Sequence, residues 1–322
     1  MIRTCLLIFY DAYLNAARLP VFRTSPIAVR PFILCIVIVW GCSPHRFPVH
    51  TDKTLFPGYE SLSHADRKKA DSVLTVALDH EGLYTLIGKL KPISSVGDPL
   101  RYSLAKDSTV QDGDRTVIHP DRDSVRSMLS ELRQWQRITK ALSFGDVKFL
   151  IIPFKNVYKG QRYLELIVCR QSLIDSVIQA HQTFFGQWGF VPGVDPGVLL
   201  TTIEYEEKHD RYRAYGYLFG YPEHAVDFFV EASKTNMRTG EFVKRSFFQI
   251  PTYRQPEGHF TYAIPKNYYP TETDSALYRK AGAVLAAYKR NREHFARSSC
   301  FEPVSFLRHN YEKSDKHRIT SE

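Results

Sequence analysis

Methionine is scarce in this chain, 3 among 322 residues, and the usual signatures of catalysis are absent. There is no Walker loop, and no Gly-x-Gly-x-x-Gly opens a helix after a strand-like run, which disfavours ATPases and common dehydrogenases. The Gly-x-Ser-x-Gly turn that presents a serine nucleophile does not occur. His-Glu-x-x-His does not occur either, because His80-Glu81 is followed by Gly82, Leu83 and Tyr84. These absences disfavour typical esterases and zincin proteases. There is no internal repeat, no low-complexity tract and no single basic block, although the net charge is +9. A spread excess of positive charge favours anionic surfaces such as lipid headgroups and acidic polymers. With no reader motif, nucleic acid is not an expected partner. No cofactor and no metal are expected.

What is present is apolar and aromatic. Apolar residues make up 43% of the chain, enough to bury a full core, and charged residues an ordinary 24%. Tyrosine (19) and phenylalanine (21) are abundant. Such side chains fill cores and, where exposed, form stacking surfaces for ligands.

The amino-terminal part has its own grammar. Arg30 precedes a continuous apolar run from Pro31 to Gly41. That run is about half the ~20 residues a helix needs to cross a bilayer. A charged start, a short apolar core and a small residue before the cut describe a secretory signal. Its end, Val39-Trp40-Gly41-Cys42, resembles the lipobox of bacterial lipoprotein signals. There an aliphatic residue stands three before the cysteine and a small one directly before it. Trp40 occupies a place that more often holds a small or aliphatic residue. The resemblance covers residues 30–43 and implies cleavage before Cys42, lipid on its thiol, and a mature chain held to a membrane of the cell envelope, periplasm-facing or at the surface. It implies nothing about activity.

Residues 1–28 are too long for such a signal and are interrupted by Asp11. They are read as a misassigned start, with Val29 as an initiating codon. A GTG codon there supports this, and any other valine codon sinks it. The alternative for 31–41 is a buried strand or membrane segment, against which Ser43-Pro44 breaks the run.

Cys5 and Cys35 are then lost with the signal. Cys169 lies in the apolar run Tyr163–Cys169 and reads as a buried free thiol, with pairing to Cys300 as the alternative.

Periodicity divides the rest of the chain. The signal is assigned to 1–41, a tether to 42–57, one globular domain to 58–302 and a flexible tail to 303–322. Helices are expected from Ser63, from Asp123, over 171–187, from Asp195-Pro196 to Glu207, after Gly220-Tyr221-Pro222, and from Thr273 or Asp274. Residues 92–120 read as a long loop or irregular hairpin. Strands are expected at Val147–Phe154, Arg162–Arg170, Arg213–Phe219, Phe242–Ile250 and His259–Ile264. Strands in hairpins with helices between them predict a single α+β domain, a mainly antiparallel sheet of about five strands with about six helices.

Several residues are candidates for chemistry. His80 and Glu81 stand at a possible helix break, which is either a polar helix end or a pair of functional side chains. His181 falls on an apolar stripe, as a satisfied core residue or as a buried ligand or base. With a carboxylate, these three make the candidate catalytic set. Trp188, Tyr215, Tyr217 and Tyr221 are candidate ligand contacts, if loop 189–197 and turn 220–222 face each other across a cleft. His224 begins a helix and reads as a cap or a functional side chain. Glu206-x-x-His209, with Glu204 and Glu207 nearby, has the spacing of a metal-binding helix face but lacks a second copy. Ser103-x-x-Lys106 and Arg238-Thr-Gly240 loosely match boxes of penicillin-recognising enzymes. That chemistry needs the serine at a helix start, whereas Ser103 has strand or loop character.

Two functional readings follow. One is a non-catalytic envelope module that binds or assembles with an envelope polymer or protein. The other is a hydrolase acting on an envelope or extracellular polymer through a His/Glu site. Convergence of His80, Glu81, His181 and Glu204 in one pocket would favour the enzyme, and dispersal the binding module. A third reading, a soluble cytoplasmic protein whose apolar start has been misread, predicts no lipid on Cys42.

Overall fold

The structure is a computed structural model and describes residues 55–112, 115–255, 260–297 and 300–319. The signal, Cys42, most of the tether, the turn at 256–258 and the end of the tail lie outside the described residues. Among the described residues are ten α-helices, a four-stranded antiparallel sheet and two two-stranded sheets. The protein is therefore α+β, as its pattern predicts.

Local sequence explains the element boundaries. Helix α1 (His64–Asp79) starts where the Ser63 side chain accepts from the Asp66 N–H at 3.1 Å. Its Ala70, Val73, Leu74, Ala77 and Leu78 recur at helical spacing and are all buried. The chain breaks at His80, and a short α2 (Gly82–Leu86) follows. Space forbids anything but glycine at 82, since a Cβ there would lie 2.7 Å from the Ala77 carbonyl oxygen.

Residues 92–120 are more regular than expected. They form a long hairpin of β1 (Ile93–Asp112) and β2 (Arg115–Pro120). Pairing shifts around Gly97, at φ 147°, let the long strand bend. Helix α3 (Arg122–Leu142) is capped by Asp121. Strands β3 (Val147–Tyr158) and β4 (Gln161–Arg170) are joined at Lys159 and Gly160, both with positive φ, the backbone of a tight hairpin turn. The sheet order is β2-β1-β4-β3.

Alternation gives the sheet two faces. Val147, Phe149, Leu166 and Val168 join the main core with α1, α2, α3 and the C-terminal helices. Ile152, Tyr163, Glu165, Ile167 and Cys169 fall on the other face. Cys169 is a free, buried thiol, and burial pushes it up to about 12, so it is inert.

The expected helix over 171–187 is two helices, α4 (Gln171–Ala180) and α5 (Gln182–Gly186), broken at His181. Helix α6 (Pro196–Tyr205) has the expected start, with Asp195 Oδ1 accepting from the Gly197 N–H at 2.8 Å and Pro196 at the first turn.

The expected strand 213–219 is instead helix α7 (Lys208–Leu218). The alternation of tyrosines with Ala214 and Gly216 has a different cause. Gly216 lets α7 approach α8 (Glu223–Thr239) closely: a Cβ there would lie 2.8 Å from Val226 Cγ2. Glu206 ends α6 and Glu207 caps α7, so Glu206 and His209 do not share one helix.

A hairpin of β5 (Arg245–Ile250) and β6 (Phe260–Pro265) precedes α9 (Glu272–Arg292), whose capping box joins Thr271 and Asp274. Asp79 is buried at the end of α1. It accepts from Arg292 at 2.9 and 3.0 Å and from Tyr288 at 2.7 Å, which ties α9 to α1.

The tail is not loose over its described length. After the small pair β7 (Ala296–Arg297) and β8 (Cys300–Phe301) comes α10 (Pro303–Ile319). Val304, Phe306 and Leu307 of α10 are buried. The Tyr311 hydroxyl donates to the Leu86 carbonyl at 2.6 Å. No helix among the described residues is long and apolar enough to cross a membrane.

Candidate functional site

Helix α7 separates two groups of polar and aromatic residues. Tyr215 and Tyr217 are two positions apart, about 200° around a helix, so they point to opposite sides. In a strand they would have shared a face. The residues expected to line one cleft are therefore distributed over two groups.

Tyr215 faces inward, onto a buried polar seam between the sheet and its covering helices. Its hydroxyl donates to Glu204 Oε2 at 2.9 Å. The Lys155 backbone N–H donates to Glu204 Oε1 at 3.0 Å, and Arg211 donates to the Glu204 carbonyl at 3.1 Å. Glu165 is buried on β4 and accepts from the Ser95 hydroxyl. Burial, reinforced by the Asp98 and Glu81 carboxylates, pushes Glu165 up to about 8. It therefore carries a proton at neutral pH. Burial also raises Tyr215, with Glu204 and Glu165 adding to the effect.

The seam continues at Glu81. Its Oε2 accepts from Lys91 Nζ at 2.7 Å and its Oε1 from the Ser95 N–H at 3.3 Å. Lys91 is fully buried, and its ammonium lies over the rings of Phe260 (4.3 Å), Phe219 (5.0 Å) and Tyr221 (5.6 Å). Burial lowers Lys91 and the Glu81 charge opposes that. Tyr221 enters this cage from a turn that only glycine permits. Gly220 has φ 72°, and a Cβ there would lie 2.7 Å from the Leu90 carbonyl oxygen.

Tyr217 faces the opposite way. The His181 ring stacks on it at 3.7 Å and 9°. Phe184 stands edge-on to Tyr217 at 5.8 Å and to Trp188 at 5.2 Å. Phe185 and Phe190 are buried beneath, while His181, Phe184 and Trp188 keep partial exposure. Arg213 Nη1 donates to the Tyr217 hydroxyl at 3.1 Å and to Asp227. Burial lowers His181, and Arg213 adds to this against the opposing Glu223 and Asp227. His181 is neutral at pH 7.

The candidate catalytic set does not assemble. Glu81 and Glu204 both belong to the seam, with their oxygens engaged by Lys91, Ser95, Lys155 and Tyr215. His80 caps the end of α1, its backbone N–H donating to Val76 at 3.1 Å. His181 belongs to the group on the other side of α7. Ser103 lies within β1 rather than at a helix start, so its Ser-x-x-Lys match lacks the required geometry. Gly240 ends α8 in the left-handed conformation, which accounts for Thr239-Gly240 as a helix stop.

His224 is more than a cap. Its Nε2 lies 2.8 Å from the Tyr268 hydroxyl and 3.2 Å from Asp274 Oδ1. Asp274 also accepts from Tyr262 and Tyr268, both at 2.6 Å. This group fastens α8 to the start of α9.

Lys91, Glu165, Arg213 and Asp227 are the residues that motif reasoning misses. Glu165 alone leaves a local signal, an acid inside the apolar run Tyr163–Cys169. Among the described residues, no three His, Cys, Asp or Glu side chains are grouped to hold a metal ion. The chain matches no family model, no curated protein and no solved structure.

Proposed function

We propose that this chain is a lipid-anchored envelope protein whose folded part is a binding or assembly module, with its ligand surface at His181, Phe184 and Trp188. The anchor rests on residues 30–43, where Arg30, the apolar run and Val39-Trp40-Gly41-Cys42 follow one another. The choice of binding over hydrolysis rests on one observation: the candidate acids and histidines are committed separately. Glu81 and Glu204 are occupied in the seam, and His181 is stacked on a tyrosine. A general base needs its substrate within hydrogen-bond reach and an orienting partner on its far side. A stacked, half-exposed ring array instead suits recognition.

Labelling cells with a fatty-acid analogue tests the anchor. Label on the wild type that disappears in Cys42→Ser supports it, and an unlabelled wild type refutes it. For the module, envelope material is captured on the full-length protein in detergent. Capture that falls in Trp188→Ala supports the binding reading. Hydrolysis of envelope polymer that is abolished by His181→Ala would replace it with the hydrolase.

A further inference from the structure

The surface group on α7 carries a chemical signature that narrows its ligand. Three partly exposed rings supply apolar area: His181, stacked on the buried Tyr217, and Phe184 and Trp188, which stand edge-to-face to each other. At one edge stand a donor and an acceptor side by side. Arg213 bonds Asp227 and the Tyr217 hydroxyl, and the Asp227 side chain remains 51% exposed. No hydrogen bond among the described residues reaches Asp227 Oδ2. His181, being neutral, adds one donor and one acceptor nitrogen.

Charge balance sorts the possible ligands. An anion would meet the Asp227 carboxylate, with Glu223 close enough to influence His181. A cation would meet Arg213. A purely apolar ligand would take water from the Arg213–Asp227 pair and return nothing, at the cost of burying polar groups without partners. A neutral ligand rich in hydroxyls fits all three constraints. Each hydroxyl both donates and accepts, so vicinal hydroxyls can bridge Arg213 and Asp227. Charge-assisted bonds of that kind are the stronger ones. The apolar C–H face of a sugar ring matches an aromatic ring.

We propose that His181, Phe184 and Trp188, seated on the buried Tyr217 and with the Arg213–Asp227 pair at their edge, form a binding site for neutral carbohydrate. The proposal rests on the binding-module reading and names its ligand class. The aromatic rings give the contact area, and Arg213 and Asp227 orient the sugar through its hydroxyls.

An array of neutral hexose and N-acetylhexosamine oligosaccharides, alongside sulfated and sialylated ones, is probed with the full-length protein in detergent. Titrations of the best neutral oligosaccharide then follow Trp188 fluorescence and heat. Binding of neutral glycans is expected, weakened about tenfold or more in Trp188→Ala and in Asp227→Asn, a change of about 1.4 kcal/mol or more. Trp135→Phe, remote in sequence and on α3, should leave the affinity unchanged. Asp227→Asn is a surface change, so its loss of binding cannot be ascribed to unfolding, and circular dichroism of each variant checks this. The carbohydrate proposal is overturned if no neutral glycan binds, if only charged glycans bind, or if both variants bind as the wild type does. If glycans fail but captured envelope material still falls away in Trp188→Ala, the module stands and only the ligand class is wrong. If both fail, both readings fall.

Discussion

The two sides of α7 use similar residue types to opposite ends. On the inner side, Tyr215, Glu204, Glu165, Glu81 and Lys91 are buried, and their hydrogen bonds run from one to the next or to backbone and Ser95. On the outer side, Arg213 and Asp227 pair beside the hydroxyl of the buried Tyr217 and repeat the motif of hydroxyl, cation and carboxylate, but half of the Asp227 side chain faces water. A polar group sealed from water must satisfy itself and so becomes structure. One at the surface keeps spare bonding capacity and is free to recognise something. Burial, more than residue type, separates the two roles.

That contrast can be broken, most severely at Lys91. Lys91→Met leaves the Glu81 carboxylate buried without its cation and should cost about 3–5 kcal/mol. Urea unfolding measures it, and the added change Glu81→Gln should recover part of the loss. A small effect would mean that the seam is wet.

Glu165 gives an effect of comparable size. Its folded pKa, about 8, lies above its ordinary value of 4.5, so the folded state holds a proton that the unfolded state releases. Its contribution must therefore weaken stability as pH rises from about 4.5 to about 8, and level off above. The span is on the order of 5 kcal/mol. Glu165→Gln should flatten this slope when Tm is followed from pH 5 to pH 9. An unchanged slope would place the titration elsewhere.

Gly216→Ala tests the helix contact that sets the two sides. Its Cβ would press on Val226, at a cost of about 1–3 kcal/mol by denaturant unfolding. The smallest stability effect belongs to the outer side. Arg213→Ala removes a partly exposed pair and should cost no more than about 1 kcal/mol. Its effect belongs to binding instead.

The sequence disclosed the features whose causes are local. Asp195-Pro196 announced α6, because a cap and a first-turn proline act within a few residues. Lys159 and Gly160 make the β3–β4 turn by an equally local cause, their positive φ. The α+β class followed from hairpins and helical stripes. Features with distant causes stayed hidden. Lys91 and Glu81 are 10 residues apart across a helix break, and Ser95 and Glu165 are 70 apart. Alternating tyrosines over 213–219 imitate a strand, because Gly216 between two of them serves a contact with α8 that the local pattern does not reveal. The apolar residues of α10 were too diluted by polar neighbours to stand out from a tail. Of the candidate site, Trp188 and Tyr217 were visible as aromatic residues around a Gly/Pro loop, and His181 as a histidine on an apolar stripe. The Arg213–Asp227 pair was not, since it joins two helices.

The most direct test compares both sides of α7 in one assay. The affinity for the best neutral oligosaccharide is measured at pH 7 for the wild type, Trp188→Ala and Glu165→Gln. The account predicts about tenfold or greater weakening in Trp188→Ala and wild-type affinity in Glu165→Gln. Equal loss in both, or loss in Glu165→Gln alone, would contradict the division between a structural seam and a recognition surface.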